Sequence, residues 1–189
     1  MGLWNWFRRN GGGAEDARLR HWRRKWLAAA NAGDTSQRAA LARELESFGL
    51  TEDDVEVERE MLEALERLAE LSAAIETTGV PQIETGHRVV GSDVCHFISP
   101  VSMPDEASQP SGRLILTNAR AIFVGGPNGS TVAWHAVGEV AHAGRDLLLV
   151  RADRQKLYRF RCNTFADALT AAFLARRLLP ARRRPTEGL

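Results

Sequence analysis

Cysteine is scarce in this 189-residue chain, with Cys95 and Cys162 the two it has. They are too few and too far apart for a disulfide scaffold, so a reducing, cytoplasmic setting is expected. Long apolar runs are missing too. Nothing approaches the ~18 residues that a membrane-spanning helix requires, although a peripheral place at the inner face of a membrane stays open. No secretory signal is read, because Arg8 and Arg9 follow the first aromatics and no apolar stretch comes after them. "MGLWNW" has Trp6 where an N-myristoylation motif takes Ser or Thr. Catalytic signatures are also lacking: no nucleophile elbow, no zinc-ligand helix, no dinucleotide fingerprint. An enzyme is not expected, nor a cofactor, a metal or a small-molecule substrate.

What is present reads as a globular chain, 44% hydrophobic and 26% charged, with a core to pack. The formal net charge is only +1, but it is unevenly spread. Residues 1–30 hold seven Arg or Lys against Glu15 and Asp16, whereas residues 51–76 hold ten Asp or Glu against Arg59 and Arg67. Opposed segments of this kind are expected to face each other, which leaves less basic surface for nucleic acid.

Three consecutive glycines, Gly11, Gly12 and Gly13, read as a flexible joint that sets off residues 1–13 as an aromatic and basic appendage. A helical region of about three helices follows over 14–79. In the first, Leu19, Trp22, Trp26 and Ala29 recur at helical spacing among arginines. A second helix runs from Asp34 or Thr35 to Gly49. The third opens on "TEDD", where Thr51 and Asp54 make a cap, and carries Met61, Leu65, Leu68 and Ile75 as one stripe, widened by Leu62 and Leu71, up to Gly79 and Pro81.

Beyond Pro81 the pattern changes to short strands broken by turn residues. Strands are expected at 88–90, 94–98, 114–117, 121–124, 131–135, 147–151 and 157–162, with a proline-bearing loop at 99–111. The connections are too short for crossover helices, so neighbours should be antiparallel. "GGPNGS" is a hairpin tip and not a phosphate cradle, since Pro127 removes a donor and no Lys-Ser or Lys-Thr follows. A last helix, "TFADALTAAFLARRLL", opens on a Thr164/Asp167 capping box and presents Phe165, Leu169, Ala172 and Phe173 on one face. The expected fold class is α+β, with this helix plugging a strongly bent sheet.

"GRLILTNARAIFVGG", followed by "VAWHAVGEV", "DLLLVRA" and "LYRFRC" and then a helix, resembles the GRAM-like and bacterial pleckstrin-homology-like superfamily over residues 86–179. The resemblance implies an antiparallel split β-barrel capped by a C-terminal helix, acting as a scaffold for lipids, peptides or proteins, with no catalytic residues. Members that hold phosphoinositides do so with Lys and Arg in the first hairpin loop. Here that loop has Asp105 and Glu106 and no basic residue, so inositol-phosphate recognition is not implied. "LARELESFGLTEDDVEVEREML" is similar to the helix–Gly–Thr–acidic–helix pattern of SHOCT-type modules.

Among candidate contacts, "WNWFRR" combines Trp4, Trp6, Phe7, Arg8 and Arg9, a composition suited to a lipid headgroup boundary and equally to docking in a groove of a partner or of the chain itself. Trp22 and Trp26 are read as core in preference to base-stacking residues. Cys95 and His96 are neighbours on a strand, point to opposite faces and make a poor metal pair. Cys162 shares a face with Tyr158 and Phe160, whereas Arg159 and Arg161 lie on the other face, where a solvated stripe or a contact to phosphate or an acidic partner is expected. Arg182, Arg183 and Arg184 form a basic tail within 180–189, a second electrostatic signal for an anionic membrane.

The chain is thus expected to be a non-catalytic binding or adaptor module. Peripheral membrane association through Trp4, Trp6, Phe7, Arg8, Arg9 and the basic tail is the first reading. A protein–protein adaptor using the acidic helix or an exposed sheet edge is the alternative.

Overall fold

A computed structural model describes residues 13–125 and 129–180, with side chains from Ala17 onward. It is an α+β protein. Three helices, α1 (Gly13–Ala32), α2 (Arg38–Glu46) and α3 (Glu56–Thr78), precede seven strands, and α4 (Phe165–Leu178) follows them. No helix among the described residues is long and apolar enough to cross a membrane.

The helical region is tied together by tryptophan. Trp22 and Trp26 are fully buried. An indole buried without a partner for its N–H is costly, and here Trp22 Nε1 donates to Leu41 O on α2 at 2.8 Å and Trp26 Nε1 to Met61 O on α3 at 2.6 Å. The opposed segments meet in the pair of Arg23 with the buried Glu58 at 2.5 Å; α2 supplies the partners in two more, Lys25 with Glu44 and Arg38 with Glu66. The last two pairs are exposed and each contributes at most about 1 kcal/mol. Ahead of α3, the Asp54 carboxylate accepts from Thr51 N and Oγ1, which places the expected cap on a 3-10 turn, Asp53–Val55, rather than on the helix itself.

The strands are β1 (Cys95–Ser102), β2 (Ser111–Thr117), β3 (Arg120–Val124), β4 (Ser130–Ala133), β5 (Val137–Ala143), β6 (Asp146–Arg151) and β7 (Leu157–Cys162). They form one antiparallel sheet in the order β4-β3-β2-β1-β7-β6-β5. The two edge strands are consecutive in sequence, joined through a 3-10 turn at Trp134–Ala136. In a flat sheet six strand spacings of ~4.8 Å would part them by ~29 Å. The four Cα steps from Ala133 to Val137 reach at most ~15 Å. The sheet must therefore roll over on itself, although its two edges are not paired and the roll is not closed.

Three expectations are corrected. Residues 88–90 form a 3-10 turn, Arg88–Val90, rather than a strand, while Val137–Ala143 is a strand the alternation test misses. Gly138 sits at a bulge in β5, and the extra residue breaks the period of two. Pro100, expected in a loop, lies inside the central strand β1. Its missing N–H points to the side where β7 has already ended, because Val101 and Ser102 are the last residues of β1 to face that strand.

Two glycines allow a close backbone approach in the sheet. A Cβ on Gly112 would stand 2.2 Å from Val124 O, and one on Gly125 2.6 Å from Ser111 O. These two residues bracket the "GRLILTNARAIFVGG" hairpin, and their backbones pack where side chains would normally separate the strands.

α4 joins the two halves. Ala168, Ala171, Ala172, Leu174 and Ala175 face the interior of the rolled sheet with Leu114, Leu116, Phe123, Leu147, Leu149 and Phe160. Phe165, Ala166 and Leu169 pack with Trp22, Trp26, Met61 and Leu65. Thr164 Oγ1 accepts from Asp167 N, the expected cap, and Glu60 of α3 adds a second one by accepting from Phe165 N while pairing with Arg145.

His142 on β5 lies in this seam, buried, with its ring edge-on to Trp26 at 6.0 Å. Neither ring nitrogen has a hydrogen-bond partner among the described residues. Burial first, and the nearby Arg176 second, lower its pKa from 6.5 to about 4, with the Ala30 main chain opposing weakly.

Two predictions follow from packing and charge. Gly112→Ala should cost about 2–3 kcal/mol in urea unfolding through overpacking, whereas Gly86→Ala, with nothing within 4 Å of the new methyl, should be near neutral. For His142, the unfolded chain takes up a proton near pH 6.5 and the folded one near 4, so stability falls as pH drops through that window and levels below it. The loss is on the order of 3 kcal/mol, and His142→Leu should flatten the melting-temperature profile between pH 6.5 and 4.

Candidate functional site

Residues 80–94 form a strap across the outer face of β1, β2 and β3. Ile83 N donates to Cys95 O at 2.8 Å, and His96 Nδ1 donates to Pro81 O at 2.7 Å. Val90 drops into a small apolar cluster with Cys95, Ile115 and Ile122, against which Ile98 and Val124 are partly buried. Both faces of the β1–β3 layer are thereby covered, which is why Ile115 and Leu116, on opposite faces, are alike fully buried.

The polar letters of "LTNAR" fix this strap. Thr117 Oγ1 accepts from Ala119 N and Arg120 N, and lies 3.2 Å from Asp93 Oδ2, which also takes Arg120 Nε at 2.9 Å. Asn118 exchanges hydrogen bonds with Val94, and Thr117 O accepts from Trp134 Nε1 at 2.7 Å. These groups are consumed in holding the β2–β3 turn to the strap and to Trp134.

Between strap and sheet is a cleft of about 350 Å³ lined by Glu84, Thr85, Gly86, His87, Ile98 and Arg113. A second hollow of about 310 Å³ shares Glu84, Thr85 and His87. Arg113 Nη1 lies 3.1 Å from His87 Nε2. Arginine has only donors, so Nε2 accepts and the ring proton sits on Nδ1. Thr85 Oγ1 accepts from His87 N, which leaves its own O–H free to donate. Arg113 has no carboxylate partner among the described residues, nor has the exposed Arg88 next to His87. Ile83 is 40% and Val89 45% exposed, two of the three large apolar side chains left in solvent among the described residues.

Arg159 and Arg161 are not a free stripe. Both close on the buried Asp146 of β6, at 2.6 and 2.8 Å, and Arg159 also reaches Asp105 of the first hairpin loop. The hydrogen bond to Asp146 raises the Arg161 pKa further. The expected core role of Trp22 and Trp26 matches their burial. Trp4, Trp6, Phe7, Arg8 and Arg9, and likewise Arg182, Arg183 and Arg184, lie outside the described residues.

Cys95 and Cys162 are buried and free. Burial, with Asp167 and Asp146 nearby, pushes the Cys162 thiol up to about 12, and burial raises Cys95. Neither presents a thiolate at neutral pH. Among the described residues no three His, Cys, Asp or Glu side chains come together in a metal-holding group.

Sequence reasoning missed the cleft because His87 and Arg113 are 26 residues apart. Alternation in "GRLIL" puts Arg113 on the same face as Ile115, a usable signal, but the strap that completes the cleft has no periodicity. No protein-family model matches the chain, and no curated protein is significantly similar to it.

The buried Asp146 should be the costly residue of the cationic face. Asp146→Asn leaves two guanidiniums short of their counter-charge and should destabilise the fold by about 3 kcal/mol. Arg161→Gln, whose side chain is half exposed, should cost under about 1 kcal/mol in the same urea titration.

Proposed function

We propose that this chain is a non-catalytic binding module of the PH-like split-barrel type that attaches peripherally to an anionic membrane. One observation carries the reading: among the described residues Arg88, next to exposed Val89, and Arg113, in the cleft under the strap that bears exposed Ile83, have no carboxylate partner, whereas Arg23, Arg38, Arg145, Arg159 and Arg161 are each met by an acid. Unneutralised cations beside apolar side chains are what a headgroup boundary takes. Arg182, Arg183 and Arg184, outside the described residues, supply a further cationic signal in this proposal. Trp4, Trp6, Phe7, Arg8 and Arg9 supply a second anchor in this proposal.

For the adaptor alternative, Glu58, Glu60 and Glu66 of α3 are engaged by Arg23, Arg145 and Arg38, whereas Glu56, Glu63, Glu70 and Glu76 are exposed. A sheet edge supports it too. β4 pairs with β3 alone, and its outer edge has main-chain groups that could add a strand.

The test is co-sedimentation of the intact chain with phosphatidylserine and phosphatidylcholine vesicles at low and high salt. The anionic vesicles should retain it at low salt, and retention should fall on adding salt, on deleting residues 1–10, and in the Arg88→Gln/Arg113→Gln double variant. An intact chain that stays in the supernatant with anionic vesicles at low salt overturns the membrane reading.

A further inference from the structure

We infer that the cleft between the strap and β1–β2 is a binding site for a phosphate monoester carried on an apolar body, with Arg113 and His87 at its polar end. The inference rests on the reading of the chain as a binding module. It adds a defined subsite and a ligand class.

The polar end is rich in donors. Arg113 spends one N–H on His87 Nε2 and none on a carboxylate among the described residues, so the rest of its planar fork is uncommitted. His87 Nδ1–H and the Thr85 hydroxyl add two more donors. A carboxylate has two oxygens to receive them; a phosphate monoester has three terminal oxygens and close to two negative charges. Glu84, also in the lining, is exposed on a strap residue without regular structure and can turn to solvent.

The other wall is apolar. Ile98 lines the cleft, its side chain only partly buried against the outer-face cluster, and Ile83 lines the adjoining hollow in an exposed position. A free inorganic anion would leave these surfaces wet. A ligand that couples an oxyanion to a short hydrocarbon covers them, gaining about 0.8 kcal/mol for each methylene buried. The 350 Å³ cleft is at the small end of ligand sites, the size for a headgroup and the first few carbons rather than a whole lipid.

The test uses the intact chain and soluble probes: hexyl phosphate, inorganic phosphate, hexanoate and hexanol, followed by calorimetry and by amide NMR shifts of the strap. Hexyl phosphate should bind saturably with shifts confined to the strap and β1–β2, and more tightly than each of the other three. Arg113→Gln should weaken it by about tenfold or more, the loss of a charge-assisted fork, Arg113→Lys should fall between, and Arg24→Gln on the exposed face of α1 should change nothing. Unchanged thermal melting of Arg113→Gln keeps the comparison free of unfolding.

Absence of saturable hexyl phosphate binding, equal binding of hexanol or hexanoate, or an Arg113→Gln variant that binds like the parent overturns the site. Vesicles of phosphatidic acid and of phosphatidylserine at matched charge then separate the sources. An Arg113-dependent preference for phosphatidic acid makes the ligand a membrane lipid. Hexyl phosphate binding with no vesicle binding keeps the site, assigns it to a soluble phosphate ester and overturns the membrane reading. Vesicle binding indifferent to Arg113, with no hexyl phosphate binding, does the reverse.

Discussion

Everything else in this molecule depends on a helix of small residues lying between two cores. α4 presents Ala168, Ala171, Ala172 and Ala175 to the rolled sheet and Phe165, Ala166 and Leu169 to the tryptophan-centred helical core. Alanine loses no side-chain entropy on burial and favours the helix, so α4 can be buried on both sides and still approach its neighbours closely. Its N-terminus is held twice, by Thr164 from its own chain segment and by Glu60 from α3. Its C-terminal half is held by Arg176, which donates to Val140 O on the outer edge of β5 and to Asn31 at the end of α1. One side chain thus covers a sheet edge and joins helix to sheet. Without α4 each core would lose a wall, so the helical region and the sheet are coupled in stability even though their local sequence patterns differ.

Electrostatics divides the surface in a way composition does not reveal. Glu58 and Asp146 are buried carboxylates, each answered by arginine, and they absorb much of the charge that looks free in the sequence. Burying a charge is tolerated when it is paired and hydrogen-bonded. The consequence for function is one of subtraction. Once internal pairs are removed, Arg88 of the strap and Arg113 of β2 stand on the face that carries the cleft, and these direct the proposed membrane and phosphate readings to that face.

The strap also explains why most polar residues of the "GRLILTNARAIFVGG" hairpin serve the scaffold, whereas Arg113 alone of them lines the cleft. Thr117, Asn118 and Arg120 lock the β2–β3 turn to Asp93 and Val94, and Gly112 and Gly125 let the hairpin close. These contacts build the scaffold, and a scaffold by itself does not say what it holds. The cleft borrows Arg113 and Ile98 from this scaffold but takes Thr85, Gly86 and His87 from irregular chain.

By itself the sequence determined what short-range chemistry controls. The 3.6-residue stripes of α1 and α3, the Thr164–Asp167 cap, the antiparallel character of the strands and the burial of Trp22 and Trp26 all follow from patterns within one or two turns of chain. It misplaced β5, because the bulge at Gly138 breaks alternation, and it read a strand at 88–90 where a 3-10 turn ends on Gly91 at φ +62°. Only the tertiary structure decided that Arg159 and Arg161 close on Asp146, that His142 is walled in without a partner, and that His87 meets Arg113. Those contacts join residues far apart in sequence, and which side chains end up opposite one another is set by strand order and sheet roll, quantities no local window contains.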